Sequence, residues 1–327
     1  MGKQRRDIYQ EVTDKIIDLL DQGTVPWQNP IKRGNGDGWP KNMHSGKNYR
    51  GINVFLLGMR AWESGFASDY WLTFKQSKER GGQVKKGEKS SLVIFWKQLD
   101  KEDPETGEDI KIPVLRHYNV FNVEQCEGIE IPDAPKEIVT DPFIPLERAE
   151  AIVDGFPNPP KINYEGRRAY YRPSVDEVFI PEPELFEDRE CFYNTLLHEC
   201  SHATGHSKRL NRGLDTDLAP FGSPDYSKEE LVAEMSAAFL CATAGISPPT
   251  IEQSAAYIDN WRKQLQGDKK LVVQAAGAAQ KSADLILGTQ FDQASSPKES
   301  PKQTKTVEQQ PEPATSQTAA RTQLELF

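Results

Sequence analysis

The chain has 327 residues, of which 37% are hydrophobic, a content that suits a globular protein of more than one ordinary domain. No apolar stretch approaches the roughly 20 residues of a membrane-spanning helix, and the charged N-terminus lacks the apolar core of a secretory signal. Four scattered cysteines without a CxxC pair argue against a disulfide framework, so we expect a cytoplasmic protein with no membrane partner.

Charge and tryptophan are unevenly distributed along the chain. The first 100 residues hold 17 basic and 11 acidic residues, whereas the remainder holds 23 basic and 38 acidic ones. The formal charges are therefore +6 and −15, and five of the six tryptophans belong to the basic part. A basic, aromatic part followed by an acidic part predicts two domains with different roles.

The first part is predicted to form an α+β domain over residues 1–128. Residues 7–21 have apolar side chains at helical spacing, and a second helix is predicted near 52–63. Three stretches rich in β-branched and aromatic residues predict strands, at 70–76, 91–99 and 112–123. Together these strands predict an antiparallel sheet.

The second part, residues 129–288, is predicted to be a mainly helical domain. A Pro- and acid-rich stretch at 127–143 is the predicted linker, and a helix at 146–155 and a hairpin at 162–181 follow it. Four more helices are predicted near 189–205, 227–244, 250–264 and 268–286. Apolar residues almost vanish after about residue 290, so we expect the tail, 289–327, to be disordered.

Three of the five histidines lie within the segment HECSHATGH. His198 and His202 are four residues apart, a spacing that places both imidazoles on one face of a helix, within reach of one metal ion. Glu199 lies between them and can act as general base on a water molecule that the metal activates. This HExxH pattern predicts one bound Zn²⁺ ion, which needs at least one more protein ligand.

The predicted third ligand is Glu230, in the following helix. Glu234, one turn later on the same face, is predicted to hydrogen-bond the far nitrogen of a liganding histidine. The alternative is a capping box with Ser227 as N-cap, in which the Glu230 carboxylate would accept a hydrogen bond from the Ser227 amide and would not bind the metal. His206 is a poor ligand candidate, because side chains at i, i+4 and i+8 form a row that one ion cannot contact, and we expect it in a surface loop.

A zinc site of this kind predicts peptide hydrolysis. The hairpin at 168–181 could pair with an extended peptide as an added strand. A tyrosine could donate to the oxyanion, and Tyr170, Tyr171 and Tyr226 remain open alternatives. The alternative function is a protein that only shields DNA and whose zinc is structural or vestigial.

The aromatic and basic residues of the first part predict a surface for single-stranded DNA, on which bases stack and phosphates meet cations. The candidates for these contacts are Tyr49, Arg50, Trp71, Phe74, Lys75, Lys85, Lys86 and Lys89. The alternative is that the tryptophans belong to the core and the lysine-rich turn is merely solvated.

Several segments resemble the ArdC antirestriction family. Those similar to its N-terminal domain are VPWQNPI (25–31), SGKNYRGIN (45–53), YWLTFKQ (70–76) and GGQVKKGEKS (81–90). Those similar to its C-terminal zincin-like domain are HECSHATGHSKRLNR (198–212) and YSKEELVAEMSAAFL (226–240).

The resemblance implies a plasmid-associated protein with a single-stranded-DNA-binding domain and a domain of zinc metallopeptidase fold. Members of the family are thought to protect incoming DNA from restriction during conjugation. Carried over by motif, His198, His202 and Glu230 would be the metal ligands and Glu199 the base.

The chain ends in QLELF, which is unusually apolar for its surroundings. It resembles the QLxLF peptide by which bacterial proteins dock on the DNA sliding clamp, and it would be presented on a flexible tether. The predicted clamp contacts are Gln323, Leu324, Leu326 and Phe327. The alternatives are a chance apolar terminus or a segment that folds back on the core. If clamp docking were the main role, the protein would be a replication accessory.

Overall fold

The structure is a computed structural model, and six ranges of it are described: 6–28, 39–102, 109–131, 144–216, 223–246 and 255–289. The predicted tail beyond residue 289, with its QLELF peptide, lies outside these ranges, as does the predicted linker from residue 132 to 143. Within the described residues no helix combines the length and the apolar character that crossing a membrane requires.

The two helices predicted for the first part are present. Helix α1 spans Ile8–Asp21, and the side chain of Asp7 caps it by accepting a hydrogen bond from the Gln10 amide at 3.2 Å. Helix α2 spans Ile52–Ser64 and ends at Gly65, whose φ of 68° is a left-handed conformation that suits glycine.

The strands of the first part form a four-stranded sheet with the order β1-β2-β5-β4. The strands are β1 at Lys41–Asn42, β2 at Tyr70–Thr73, β4 at Ser91–Glu102 and β5 at Asp109–Asn122. Between them, β3 at Gln83–Val84 pairs with β6 at Cys126–Glu127. The antiparallel prediction is confirmed for β2, β5 and β4, whereas the two-residue edge strand β1 runs parallel to β2.

The strand predicted over 70–76 is wrong in its last three residues. Helix α3, Phe74–Glu79, begins there because Thr73 and Gln76 form a capping box. The Thr73 hydroxyl accepts from the Gln76 amide at 3.2 Å, and the Gln76 side chain accepts from the Thr73 amide at 2.9 Å. The Phe74 side chain therefore projects from a short helix instead of from the sheet.

The second part begins with helix α4, Ile144–Asp154, and a small sheet. Its strands are β7 at Lys161–Tyr164, β8 at Tyr170–Arg172 and β9 at Glu177–Ile180. The hairpin predicted over 162–181 is confined to β8 and β9, because β7 pairs with β9 in the parallel direction. Four helices follow: α5 at Arg189–Ala203, α6 at Pro224–Ala244, α7 at Ala255–Gly267 and α8 at Leu271–Ile286.

One cluster of buried hydrophobic side chains spans both predicted domains, and the first part has two smaller clusters of its own. Buried side chains of α1 and α2 lie in the same cluster as those of α5, α6 and α8. Phe55 of α2 stacks on Phe239 of α6 with ring centroids 5.0 Å apart, and both rings are buried. At the edge of this contact Arg50 forms an ion pair with Asp284 of α8. The first part therefore packs directly on the helices that carry the HExxH motif and Glu230.

Candidate metal centre

Helix α5 places the two motif histidines side by side. Asp188 begins the helix by accepting from the Cys191 amide at 2.7 Å, and His198 and His202 follow on one face, one turn apart. Their Nε2 atoms lie 3.1 Å from each other. Glu199, between them in sequence, is buried.

Glu230 projects from α6 toward both imidazoles. Its carboxylate oxygens lie 3.6 Å from His198 Nε2 and 3.5 Å from His202 Nε2. The capping-box alternative is wrong, because α6 begins four residues earlier than that box requires. Ser223 is the N-cap and accepts from the Tyr226 amide at 3.2 Å, so that Ser227 lies inside the helix.

These three side chains can hold one metal ion, and they are hereafter called the metal centre. Their donor atoms all lie within 4.8 Å of one another. Ligand atoms about 2.1 Å from a tetrahedral ion are about 3.4 Å apart, close to the observed separations. Two imidazole nitrogens and one carboxylate oxygen are also the donor set of many catalytic zinc sites.

The electrostatics of the metal centre favour a positive charge at its middle. Burial by itself would raise the pKa of Glu230, but the hydrogen bond from His198 and the charge of His202 lower it to about 2. For His198, burial acts in the opposite direction and by itself would lower the pKa, but the carboxylates of Glu230 and Glu199 raise it. A divalent cation would supply the positive charge for which these carboxylates are arranged.

Glu229 orients His202 from the side opposite to Glu230. Its Oε1 lies 3.4 Å from His202 Nδ1, and Arg212 holds the same carboxylate through two donors, one of them Nε at 2.9 Å. Arg212 lowers the pKa of Glu229 against the effect of burial. The sequence predicted that Glu234 would contact the ring nitrogen of a liganding histidine that faces away from the metal. At His202 this contact is made by Glu229 instead. Helix positions 229 and 234 point in different directions, and only the packing of α6 on α5 decides which of them faces His202.

Glu234 instead lies in a separate hydrogen-bond cluster. The Trp27 indole Nε1 donates to its Oε2 at 2.6 Å, and the Tyr257 hydroxyl donates to the same oxygen. Burial raises the pKa of Glu234 in spite of these bonds. Its charge still acts on the metal centre: the carboxylate of Glu234 raises the pKa of His198, and the charge of Glu230 in turn raises the pKa of Glu234.

Of the three candidate tyrosines, the fold brings Tyr226 to the metal centre. Burial and the adjacent charge and hydrogen bond of Glu230 raise the pKa of Tyr226 to about 12. Tyr170 stacks on Phe179, and the Tyr171 hydroxyl donates to Asp176 at 2.8 Å.

His206 does not join the metal centre, but the expectation that it lies on the surface is wrong. It is buried in the loop after α5, where its Nδ1 accepts from the Lys208 amide at 3.1 Å. Its Nε2 lies 3.6 Å from the carboxylate of Asp215. These contacts fix the loop that carries Arg212.

Three of the candidate DNA contacts are engaged inside the protein. Tyr49 is 3% exposed and Trp71 is 1% exposed, both within the core of the first part. Arg50 is paired with Asp284. Tyr49 and Trp71 therefore have no ring face available to a base, and the prediction that they stack on DNA does not fit the fold.

The other five candidates lie on an exposed surface around α3 and β3. Phe74 is 50% exposed, and the ammonium group of Lys78 lies 4.9 Å from the centre of its ring. The exposed lysines among the candidates are Lys75, Lys85, Lys86 and Lys89. Phe74, Lys78 and these four lysines are hereafter called the basic surface.

Sequence reasoning missed some members of both sites. Lys78 could have been found from its i+4 spacing to Phe74. Arg212, by contrast, gains its role only because a loop returns it to Glu229.

Comparisons with protein families match both parts of the chain. Residues 6–121 match the N-terminal domain of anti-restriction factor ArdC, and residues 147–278 match a zincin-like metallopeptidase family. The uncharacterized protein y4eC of Sinorhizobium fredii is 35% identical over 297 residues, covering 88% of this chain and 93% of that protein. DNA primase TraC of Escherichia coli is 36% identical over 307 residues, or 88% of this chain, which spans only 28% of that primase.

Two solved structures are similar over nearly their whole length. The metal-free crystal structure of antirestriction protein ArdC from plasmid R388 is 38% identical, with a TM-score of 0.69. The similarity covers 88% of this chain and 100% of that one. The Mn(II)-bound structure of the same protein is 37% identical, with a TM-score of 0.68, and covers 86% of this chain and 98% of that one.

Proposed function

Because the chain belongs to the ArdC family of antirestriction proteins, we propose that it protects DNA from restriction. In this proposal the first part binds single-stranded DNA, and the second part is a metal-dependent peptidase. The observation that carries the proposal is the convergence of His198, His202 and Glu230 on one point of a zincin-like domain.

The metal centre is proposed to hold one Zn²⁺ ion. The donor set and the separations of its atoms support this assignment, and a Mn(II)-bound structure of a relative supports a divalent ion in general. When bound, the ion polarises a carbonyl group and lowers the pKa of water. Inductively coupled plasma mass spectrometry of the purified full-length protein should find about one zinc per chain, and no bound metal would refute this part of the proposal.

The side chains around the metal centre divide the remaining work of hydrolysis. Glu199 accepts a proton from the attacking water and passes it to the leaving amine. The Tyr226 hydroxyl donates a hydrogen bond to the oxygen on which negative charge develops. Arg212 and Glu229 keep His202 in the orientation that directs Nε2 at the centre.

An extended peptide segment is the proposed substrate class. Strand β8 is an edge of its sheet, so its outer side can pair with an added strand. Because β8 has only three residues, it can form few backbone hydrogen bonds with a peptide, and pockets for the peptide side chains would supply most of the selectivity between substrates.

Substitution of Glu199 separates a peptidase from a protein that only shields DNA. The E199Q variant should keep its zinc and its affinity for single-stranded DNA but lose the protection of plasmid DNA that enters a restricting host. If protection by E199Q equals that of wild type while zinc is retained, the ion is structural and shielding is the function.

The basic surface is the proposed site for single-stranded DNA. One exposed ring beside several cations can stack on a base while the lysines meet neighbouring phosphates. Fluorescence anisotropy with a labelled oligonucleotide should show binding that weakens steeply with salt. The absence of binding at low salt would remove this part of the proposal.

The terminal QLELF peptide is proposed to dock on a bacterial sliding clamp, as its sequence pattern suggests. A pull-down that compares wild type with an L326A/F327A variant tests this step, and equal recovery of clamp by both proteins would refute it. Recovery that depends on the peptide would favour recruitment to replicating DNA and a role as a replication accessory.

A further inference from the structure

Next to the metal centre, helix α6 receives a hydrogen bond from the first part of the chain. Trp27 lies just after α1, yet its indole Nε1 donates at 2.6 Å to Glu234 of α6, 207 residues away in sequence. Glu234 is one helical turn beyond Glu230, on the same side of the helix. A residue of the first part therefore contacts the helix of a proposed metal ligand within one turn of that ligand.

Three donors converge on the same carboxylate oxygen. The Tyr257 hydroxyl of α7 donates to Glu234 Oε2, and the Gln28 amide lies 3.4 Å from it. Gln28 also donates to the Tyr257 hydroxyl at 2.7 Å. The Trp27 ring, itself buried, packs edge-on against Trp261 with centroids 5.9 Å apart. Both packing and directional hydrogen bonds thus fix the position of Glu234.

Fixing Glu234 fixes the rotation of α6 about its axis. The outer radius of a helix is about 5–6 Å, so a rotation of roughly 10° would displace the Glu230 carboxylate by about 1 Å. Metal sites tolerate deviations of only about 0.2 Å in ligand distance. Small rotations that hydrophobic packing would permit are therefore large enough to weaken the metal centre.

We propose that Trp27 and Tyr257 are positioning residues of the metal centre, acting through Glu234 on Glu230. This inference rests on the proposed function, since it assumes that the centre binds a divalent ion. It assigns to the first part of the chain a task in metal binding in addition to contact with DNA. The zincin-like part by itself lacks the Trp27 indole.

The test uses Co²⁺ as the probe in full-length protein, because its visible absorption bands report the ligand geometry. The variants W27F and Y257F each remove one donor and keep an aromatic ring. The matched control is T13V, which removes another hydrogen bond between the two parts, from Thr13 to the Lys269 carbonyl at 2.8 Å in the turn between α7 and α8. The thermal unfolding of each metal-free variant is recorded to measure the general loss of stability.

W27F and Y257F should each bind Co²⁺ about 10-fold or more weakly, as supporting residues of metal sites do, and their absorption bands should shift. T13V should match wild type within about 2-fold, even where its unfolding midpoint falls as far as theirs. Wild-type affinity and spectra in both W27F and Y257F would overturn the inference while leaving the metal centre intact. A wild-type protein that binds neither Co²⁺ nor Zn²⁺ would overturn the proposed function itself.

Discussion

The metal centre and the basic surface place opposite demands on the fold. The metal centre is closed and convergent: its donor atoms lie within 4.8 Å of one another, and Glu229, which Arg212 holds, contacts His202. The basic surface is open, and its lysine side chains are exposed; Lys75, for example, is 70% exposed although it pairs with Glu79. A metal ion requires ligands placed to tenths of an ångström, whereas a flexible polyanion adapts to cations that are only roughly placed.

The two sites consequently differ in how single side chains contribute. Loss of one ligand from a metal site leaves too few donors, so the effect is close to complete. Loss of one lysine from an open surface removes one of several similar phosphate contacts, and the effect is partial. Substitutions at the two sites should therefore produce losses of very different size.

The largest effect is expected at the metal centre. Either H198A or H202A should abolish stoichiometric zinc binding, a loss of about 10³-fold or more in affinity, because two protein ligands remain. The matched control is H44A, which removes an exposed histidine of the first part. Isothermal titration calorimetry measures all three variants, and zinc binding lost equally in H44A would contradict the assigned ligands.

The next effect concerns the basic surface as a whole. A K75A/K85A/K86A/K89A variant should bind single-stranded DNA about 100-fold more weakly, because four phosphate contacts are removed. The slope of log affinity against log salt should fall by up to about 3, at roughly 0.7 per contact.

The control for this variant removes four exposed lysines of the second part, Lys161, Lys228, Lys263 and Lys281, and so changes the net charge equally. Anisotropy titrations at several salt concentrations should leave this control close to wild type. Equal weakening of both variants would mean that net charge, not the basic surface, governs binding.

A smaller effect is expected at the support of the metal centre. E229Q retains the size of the side chain but removes the charge that orients His202, and we expect zinc affinity to fall about 10- to 100-fold. E184Q is the control, since Glu184 also pairs with an arginine, Arg189, at the protein surface. A zinc affinity of E229Q equal to that of E184Q would show that Glu229 has no part in the centre.

The smallest effect compares two aromatic residues of the first part. F74A should lower the affinity for single-stranded DNA by about 1 kcal/mol, or about 5-fold, the lower end of the usual contribution of a stacked ring. Y49F should leave that affinity unchanged and lower stability by about 1 kcal/mol, because it deletes only a buried hydroxyl near Asn42. Anisotropy and thermal unfolding measure both quantities, and a DNA-binding defect in Y49F with normal stability would reverse the assignment.

Much of the helical framework follows from local pattern. The apolar spacing of residues 7–21 predicts α1 closely, because one face of that helix must enter the core. The end of β2 was missed, since the capping box of Thr73 and Gln76 outweighs the strand preference of the surrounding residues. The start of α6 was misjudged for a related reason: Ser223 and Ser227 are both acceptable caps, and Pro224 at the first helical turn favours the earlier one.

What the sequence by itself determined is the placement of two imidazoles side by side on helix α5. Histidines four residues apart on a helix must share a face, whatever surrounds them, so His198 and His202 could be paired without a structure. Only the tertiary structure decided that Glu229, and not Glu234, contacts Nδ1 of His202. It alone also decided that Tyr49 and Trp71 are buried. These outcomes depend on how helices and the sheet pack against one another. Such packing joins residues that are far apart in sequence, such as Trp27 and Glu234, which are separated by 207 positions. Local periodicity carries no information about such contacts.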